Sequence, residues 1–437
     1  MEPNSRLKLE AISVTLAILL VSVPIHNDVE YALQSEAKSA DTLGGNSFID
    51  APTWRVNDRW VYSGELDVYD FIADSGVSTN VNTLTGTLDV QVESINLVDV
   101  GGIQTLAYTV AGTGDYRADN IQLEGQNGDV VVEMDTTSVI RVSDMAVISQ
   151  TATIDIEFDP AFGWICWLIS CDIASITASN EYWPPLERHD FPLSVGDTWV
   201  NNYTLNTTYS GSSSYVTIPQ STSDQVETTS TVVQAGYPGV SQSGCSVSYN
   251  VTATDVNGSL VGYGWHCDSM KNDVITLNEV TLGLMARHEI DYSTLSPRPY
   301  VIDVEPMYPL APFDFTSPIW VNVSDANGAP TANQLIEFRY DPTGEVQTIT
   351  TESNGSAFTT LNYGSQGDES LVDGEHGSHG IVARIVNTDH MGISTITLDP
   401  DIYEVDLKLD PSSISIQRNR SGDCLLYTSP SPRDLYR

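Results

Sequence analysis

The chain has 437 residues, with 58 acidic against 18 basic side chains, a formal charge of −40 and an isoelectric point near 4.1. Such a surface repels phosphate backbones and anionic headgroups, which disfavours nucleic acid and peripheral membrane partners. The acids are spread along the chain and 41% of residues are hydrophobic, a composition of packed domains, about three at this length, rather than of a charged arm.

Near the N-terminus, Arg6 and Lys8 precede an uncharged apolar stretch from Ala11 to Val23. That stretch is shorter than the roughly 20 residues of a membrane span and suits a secretory signal. Residues 1–40 are expected to be a signal peptide and leader, cleaved after Ala37 or Ala40, with an uncleaved signal anchor as the alternative. The expected location is extracellular or at the cell surface.

A repeat follows. Val56-Asn-Asp58-Arg-Trp60-Val matches Val195-Gly-Asp197-Thr-Trp199-Val, and each copy is preceded by proline and an aromatic, Pro52 with Trp54 and Phe191 with Pro192. After each copy come Ser/Thr-rich stretches and strands of alternating apolar positions, TLDVQVESI and TLAYTVAG in the first, VETTSTVVQ and SVSYNVTATD in the second. Alternation with β-branched residues predicts half-buried strands, and recurrence of the same order predicts two related β units, 41–185 and 186–298. Trp60 and Trp199, with Asp58 and Asp197, are read as structural elements at the base of each unit. No segment reads as a helix.

Before Cys424 the cysteines are Cys166, Cys171, Cys245 and Cys267, an even number that suits an oxidising compartment. The favoured pairs are 166–171 and 245–267. The first would close the apolar loop FGWICWLISC, whose Trp164 and Trp167 are read as core rather than as an aromatic binding loop. The second would lock a hairpin turning at Asn257-Gly258. Further Asn-Gly pairs at 127–128, 327–328 and 354–355 mark expected turns, because Asn-Gly takes the positive φ of tight hairpins. Asn202, Asn206, Asn250, Asn257, Asn322, Asn354 and Asn419 each head an N-x-S/T sequon and are candidate glycosylation sites.

From Tyr300 the texture changes to short strands separated by Asn, Gly, Asp and Pro, the pattern of a β-sandwich over 299–401. Val321, Val323, Asp325, Asn327, Gly328 and Pro330, followed by Thr350, Thr351, Asn354, Gly355 and Ala357, resemble the opening and the central hairpin of invasin-type bacterial immunoglobulin-like repeats. The segment Val405 to Ile416 with Ser421-Gly-Asp423 is similar to the first strand of CARDB-like, cell-adhesion-related modules, here expected to be truncated over 402–423. These resemblances imply a secreted archaeal or bacterial multidomain surface protein. The string CLLYTSPSPRD from Cys424 resembles a sequencing-library transposon adapter read in one frame, so 424–437 is expected not to belong to the protein, which would continue past Asp423.

The fold class is thus all-β: two related N-terminal β-sheet units, an immunoglobulin-like β-sandwich and a truncated further β module. No nucleophile elbow, phosphate loop or dinucleotide fingerprint is present. His288-Glu289 lacks the second histidine of a zinc-protease motif, and His376-Gly-Ser-His379, with Glu375, Asp389 and His390, lacks an established ligand spacing. No cofactor is expected, except that Asp255 with Asn257, and Asp325 with Asn327, offer turn oxygens that could take calcium. The expected function is that of a non-enzymatic structural or adhesive display protein whose partners are other surface proteins or glycans. The alternatives are accessory domains of an exported hydrolase with its catalytic part beyond residue 423, and a glycan- or lipid-binding module.

Overall fold

The computed structural model describes residues 49–69, 71, 78–161, 171–213, 217–240, 244–245, 247–281, 283–364, 377–398, 415–418 and 424–427. The expected leader, the loop carrying Cys166, Trp164 and Trp167, the sequon at Asn419 and most of 402–437 lie outside the described residues.

Twelve strands follow in order: β1 Arg59–Asp67, β2 Thr83–Val100, β3 Ile103–Leu123, β4 Gln126–Arg141, β5 Val147–Pro160, β6 Asp172–Leu186, β7 Thr198–Ser213, β8 Thr222–Gly236, β9 Ser248–Asp255, β10 Leu260–Cys267, β11 Asn272–Thr281 and β12 Leu284–Thr294. Each pairs antiparallel with its neighbour in sequence, and β12 returns to β1 with Arg59 opposite Thr294 and Asp67 opposite Met285. The sheet closes into a barrel, which leaves no unpaired strand edge. The first repeat supplies β1 to β6 and the second β7 to β12, so both copies lie in one continuous sheet, joined where β6 pairs with β7.

Period-two alternation sorts the faces. Leu84, Tyr116, Val132, Met134, Ile154, Ile156 and Ile176 pack into a core inside the barrel, while Thr85, Thr87, Asp115, Glu133, Asp135 and Glu157 face water. Apolar inside and acidic outside is the inverse of the pattern of a barrel that spans lipid. Among the described residues no helix is long and apolar enough to cross a membrane. Toward the other end a second cluster gathers Trp54, Trp60, Tyr62, Tyr108, Val274 and Ile290 around the Cys245–Cys267 disulfide. Cys171 is also disulfide-bonded.

The two copies of the repeat build the same corner. Asn57 and Gly196 both have positive φ, 70° and 95°. The Asp58 carboxylate accepts from the backbone N–H of Arg55 at 2.8 Å, and that of Asp197 from Ser194 at 2.7 Å. Asn57 N–H donates to Val92 and Val92 N–H to Asp58; Gly196 and Val232 repeat the exchange with Asp197. The aspartate closes a turn that starts the strand, and two residues on the tryptophan drops into the interior. Trp60 donates its indole N–H to the Met270 carbonyl at 2.8 Å and Trp199 to the Glu187 carbonyl at 3.0 Å, so each buried ring keeps its donor satisfied.

Three of the four Asn-Gly pairs lie in turns, with Gly258, Gly328 and Gly355 all near φ +80°. The pair at Asn127-Gly128 does not. The β3–β4 turn falls at Glu124-Gly125, both with positive φ, and Gly128 is a strand residue of β4. A Cβ at Gly128 would lie 2.4 Å from the Asp159 carbonyl and 2.7 Å from the Phe158 ring, so glycine is needed there for close strand approach, not for a turn.

Beyond the barrel, β13 Tyr300–Pro306, β15 Thr316–Asp325 and β18 Ser356–Asn362 form a three-stranded sheet. A five-stranded sheet has the order β14-β20-β19-β16-β17, from β14 Leu310–Ala311, β16 Leu335–Tyr340, β17 Glu345–Thr350, β19 Gly377–Ile385 and β20 Met391–Leu398. One core lies between them, with Ile319, Val321, Val323 and Leu361 from the first and Ile336, Phe338, Ile381 and Ile396 from the second. A separate ribbon pairs β21 Ser415–Arg418 with β22 Cys424–Tyr427.

The two-sheet unit is seated on the barrel. Val382 and Met391 join the barrel cluster of Trp60 and Tyr108, and the Tyr108 hydroxyl lies 3.5 Å from the Met391 sulfur. Arg55 pairs with Asp389 at 2.7 Å, and Asp50 accepts from the Thr395 hydroxyl. Ser143 donates to Asp341 at 2.9 Å, and burial lifts the Asp341 carboxyl to about 6 against lesser opposition from Arg141 and Ser143. At Gly380 a Cβ would stand 1.8 Å from the Ser143 carbonyl, so the contact is backbone to backbone.

Candidate metal centre

The residues singled out in the sequence are dispersed. Asp255 accepts from the backbone N–H groups of Asn257 at 2.9 Å and Ser259 at 2.8 Å; Asp325 does the same with Asn327 and Ala329. In both turns these amides hold the carboxylate below its usual range, so the proposed calcium oxygens are used to shape the chain reversal. Asp389 is taken by Arg55, His390 stacks edge-on against Tyr300, and His379 packs against Tyr340; His376 and Glu375 lie outside the described residues. Asn202, Asn206, Asn257, Asn322 and Asn354 are exposed, but Asn250 is only 3% exposed, which rules out a glycan on it in the folded barrel.

His288 and Glu289 point apart on β12. Glu289 meets Arg287 at the outer surface, while His288 is buried in the barrel with its Nε2 2.6 Å from the Tyr116 hydroxyl. Its register partner is Gly64, where a Cβ would be 2.5 Å from the imidazole, and burial pushes the imidazole down to about 4.

A different constellation, not singled out in the sequence, is brought together by three separate segments. His189 comes from the connection between β6 and β7, His266 from the end of β10 and Asp273 from the start of β11. One donor atom from each lies within 4.8 Å of the others. The Asp273 Oδ1 stands 3.2 Å from His189 Nε2 and 3.1 Å from His266 Nδ1.

Local structure explains the convergence. The chain turns over Asp268 to Lys271, with Lys271 at φ 58°, and His266 faces Asp273 directly across the ladder. The β10–β11 register shifts between Trp265 and His266, a bulge of the kind that re-aims a side chain. Gly264 opens the space the carboxylate fills, because a Cβ there would lie 2.5 Å from Asp273 Oδ2. Tyr62 donates to the Asp273 carbonyl at 2.9 Å and ties the hairpin to β1. His189 is positioned by stacking on Phe191, whose ring centroid is 5.7 Å away, and Phe191 in turn packs with Leu193 and Trp199.

His266 is buried, and burial lowers its basicity against the opposing pull of Asp273. Burial by itself would raise the Asp273 carboxyl, but the two imidazoles more than reverse this and hold it well below its usual range. The Nε2 atoms of both histidines are buried without a hydrogen-bond partner. Two imidazoles and a carboxylate are a donor set for borderline divalent transition metals. The only sequence signal available was the seven-residue spacing of His266 and Asp273 across a tight turn; nothing local announces His189.

No protein-family model and no curated protein sequence matches the chain.

Proposed function

We propose that the chain is a non-enzymatic structural or adhesive display protein of the cell exterior, with the barrel as a rigid body and the two-sheet unit as an immunoglobulin-like module. The observation that carries this reading is the continuity of the apolar core from Trp60 and Tyr108 of the barrel into Val382 and Met391 of the next unit. Flexibly tethered modules do not share a core; a shared one transmits orientation and load. The ion pair Arg55–Asp389 and the Asp50–Thr395 contact flank that seam and resist its rotation. The acidic outer strand faces fit an exterior role in which proteins must stay soluble and apart. The disulfide Cys245–Cys267 fits an oxidising compartment.

The test is limited proteolysis combined with small-angle scattering of the full chain. A rigid display body keeps one scattering profile from low to high salt and resists cleavage at the connection 295–299. Rapid release of a free barrel by cleavage there, or a maximum dimension that changes with salt, would contradict the reading.

A further inference from the structure

We propose that His189, His266 and Asp273 form a binding site for a borderline divalent transition metal of the zinc class, which clips the connection between the barrel's two halves to the β10–β11 hairpin. Ligand atoms held about 2.0–2.1 Å from a tetrahedral zinc stand about 3.3 Å apart. The Asp273 oxygen is 3.2 Å and 3.1 Å from the two nearest imidazole nitrogens, close to that spacing on both edges.

The nitrogen of His189 supplies the second argument. It is buried and close to the carboxylate, yet off the axis of any hydrogen bond. A ring nitrogen so placed is poorly used by a proton shared with Asp273 and well used by a cation on the same side of both groups. The donor set of two nitrogens and one oxygen selects against calcium and magnesium, which take oxygen ligands. His189 and Asp273 retain 13% and 16% side-chain exposure, giving an ion a path in and room for solvent ligands.

The site also lies where a clip is useful. His189 sits in the stretch that passes from the first repeat to the second, and the hairpin it faces is already anchored by the neighbouring Cys267 disulfide and by Tyr62. A metal there would bind the folded barrel and not the unfolded chain, because the three ligands come together only in the fold.

The experiment uses the untagged full chain, stripped with a chelator and titrated with Zn2+ alone. One equivalent is expected to bind, and at a free concentration 100 times Kd the folded-to-unfolded ratio should rise about 100-fold. Ca2+ and Mg2+ should leave the melting temperature unchanged. Co2+ should give the visible absorption of a four-coordinate site, and His189→Gln, on the half-buried connection, should lose both the absorption and the Zn2+ stabilisation while keeping its near-ultraviolet dichroism. Should that variant fail to fold, X-ray absorption of the zinc-loaded wild-type chain decides, with two imidazole nitrogens expected in the coordination shell. A zinc shell without imidazole, equal stabilisation of wild type and variant, or an equal response to Ca2+ would overturn the proposal.

Discussion

The buried imidazole of His288 sets a specific acid sensitivity. The ring lies inside the barrel, only 4% exposed, against Tyr116 and above Gly64. Burial depresses it from the ordinary 6.5 to about 4. Between those values the unfolded chain takes up a proton that the folded barrel refuses, so stability falls as pH drops through this window and levels off below pH 4. The full displacement corresponds to about 3 kcal/mol, of which about 2.5 kcal/mol is lost between pH 7.5 and pH 4.5. His288→Gln keeps a hydrogen-bonding group for Tyr116 but does not titrate. Its packing cost is independent of pH, and distant carboxylates contribute equally to both proteins and cancel in the difference. Guanidinium denaturation of wild type and variant at both pH values should show the wild type losing about 2.5 kcal/mol more than the variant on acidification. Parallel losses in the two proteins would refute the reasoning, since the barrel would then admit the proton without penalty.

Asp58 is fully buried and accepts from Arg55, Ser296 and the Arg298 guanidinium, so Asp58→Ala should cost about 3–5 kcal/mol by urea titration, because it strands buried donors. Removing the Cys245–Cys267 disulfide, which spans a sequence separation of 22, by the paired substitutions Cys245→Ala and Cys267→Ala should cost about 3 kcal/mol or more in the same assay, since it releases a loop of that length in the unfolded chain. Asp341, lifted by burial to about 6 at the seam, favours the seated arrangement in its protonated form. The seam should therefore be strongest below pH 4 and weaken as pH rises through 6, by up to about 3 kcal/mol, and Asp341→Asn should abolish that slope in protease-sensitivity profiles of the 295–299 connection.

Much of the barrel was legible because its signals are local. Asp58 and Asp197 announce their corners through the residues around them, and Gly258, Gly328 and Gly355 announce their turns through the asparagine before each and take the positive φ expected. Gly128 misled for a physical reason: glycine serves both turns and tight strand contacts, and only the neighbouring Phe158 tells which. The pairing of β1 with β12 has no local sign, since the same alternating strands could close within each half as readily as around the whole ring. The His189–His266–Asp273 cluster was hidden likewise. Its geometry depends on the bulge at Trp265/His266 and on where the β6–β7 connection crosses, neither of which a linear pattern records.

The closing pair of strands has a consequence for how such a body can be built into larger chains. Arg59 and Thr294 are ladder partners, so the polypeptide enters and leaves the ring at one spot. A ring of this kind has no preferred first strand. Joining its ends and opening it at another hairpin would preserve every pairing. Equally, the whole ring could be spliced into a surface loop of a host domain without stretching the host's backbone, as a cassette whose presence changes the bulk of an assembly far more than its path.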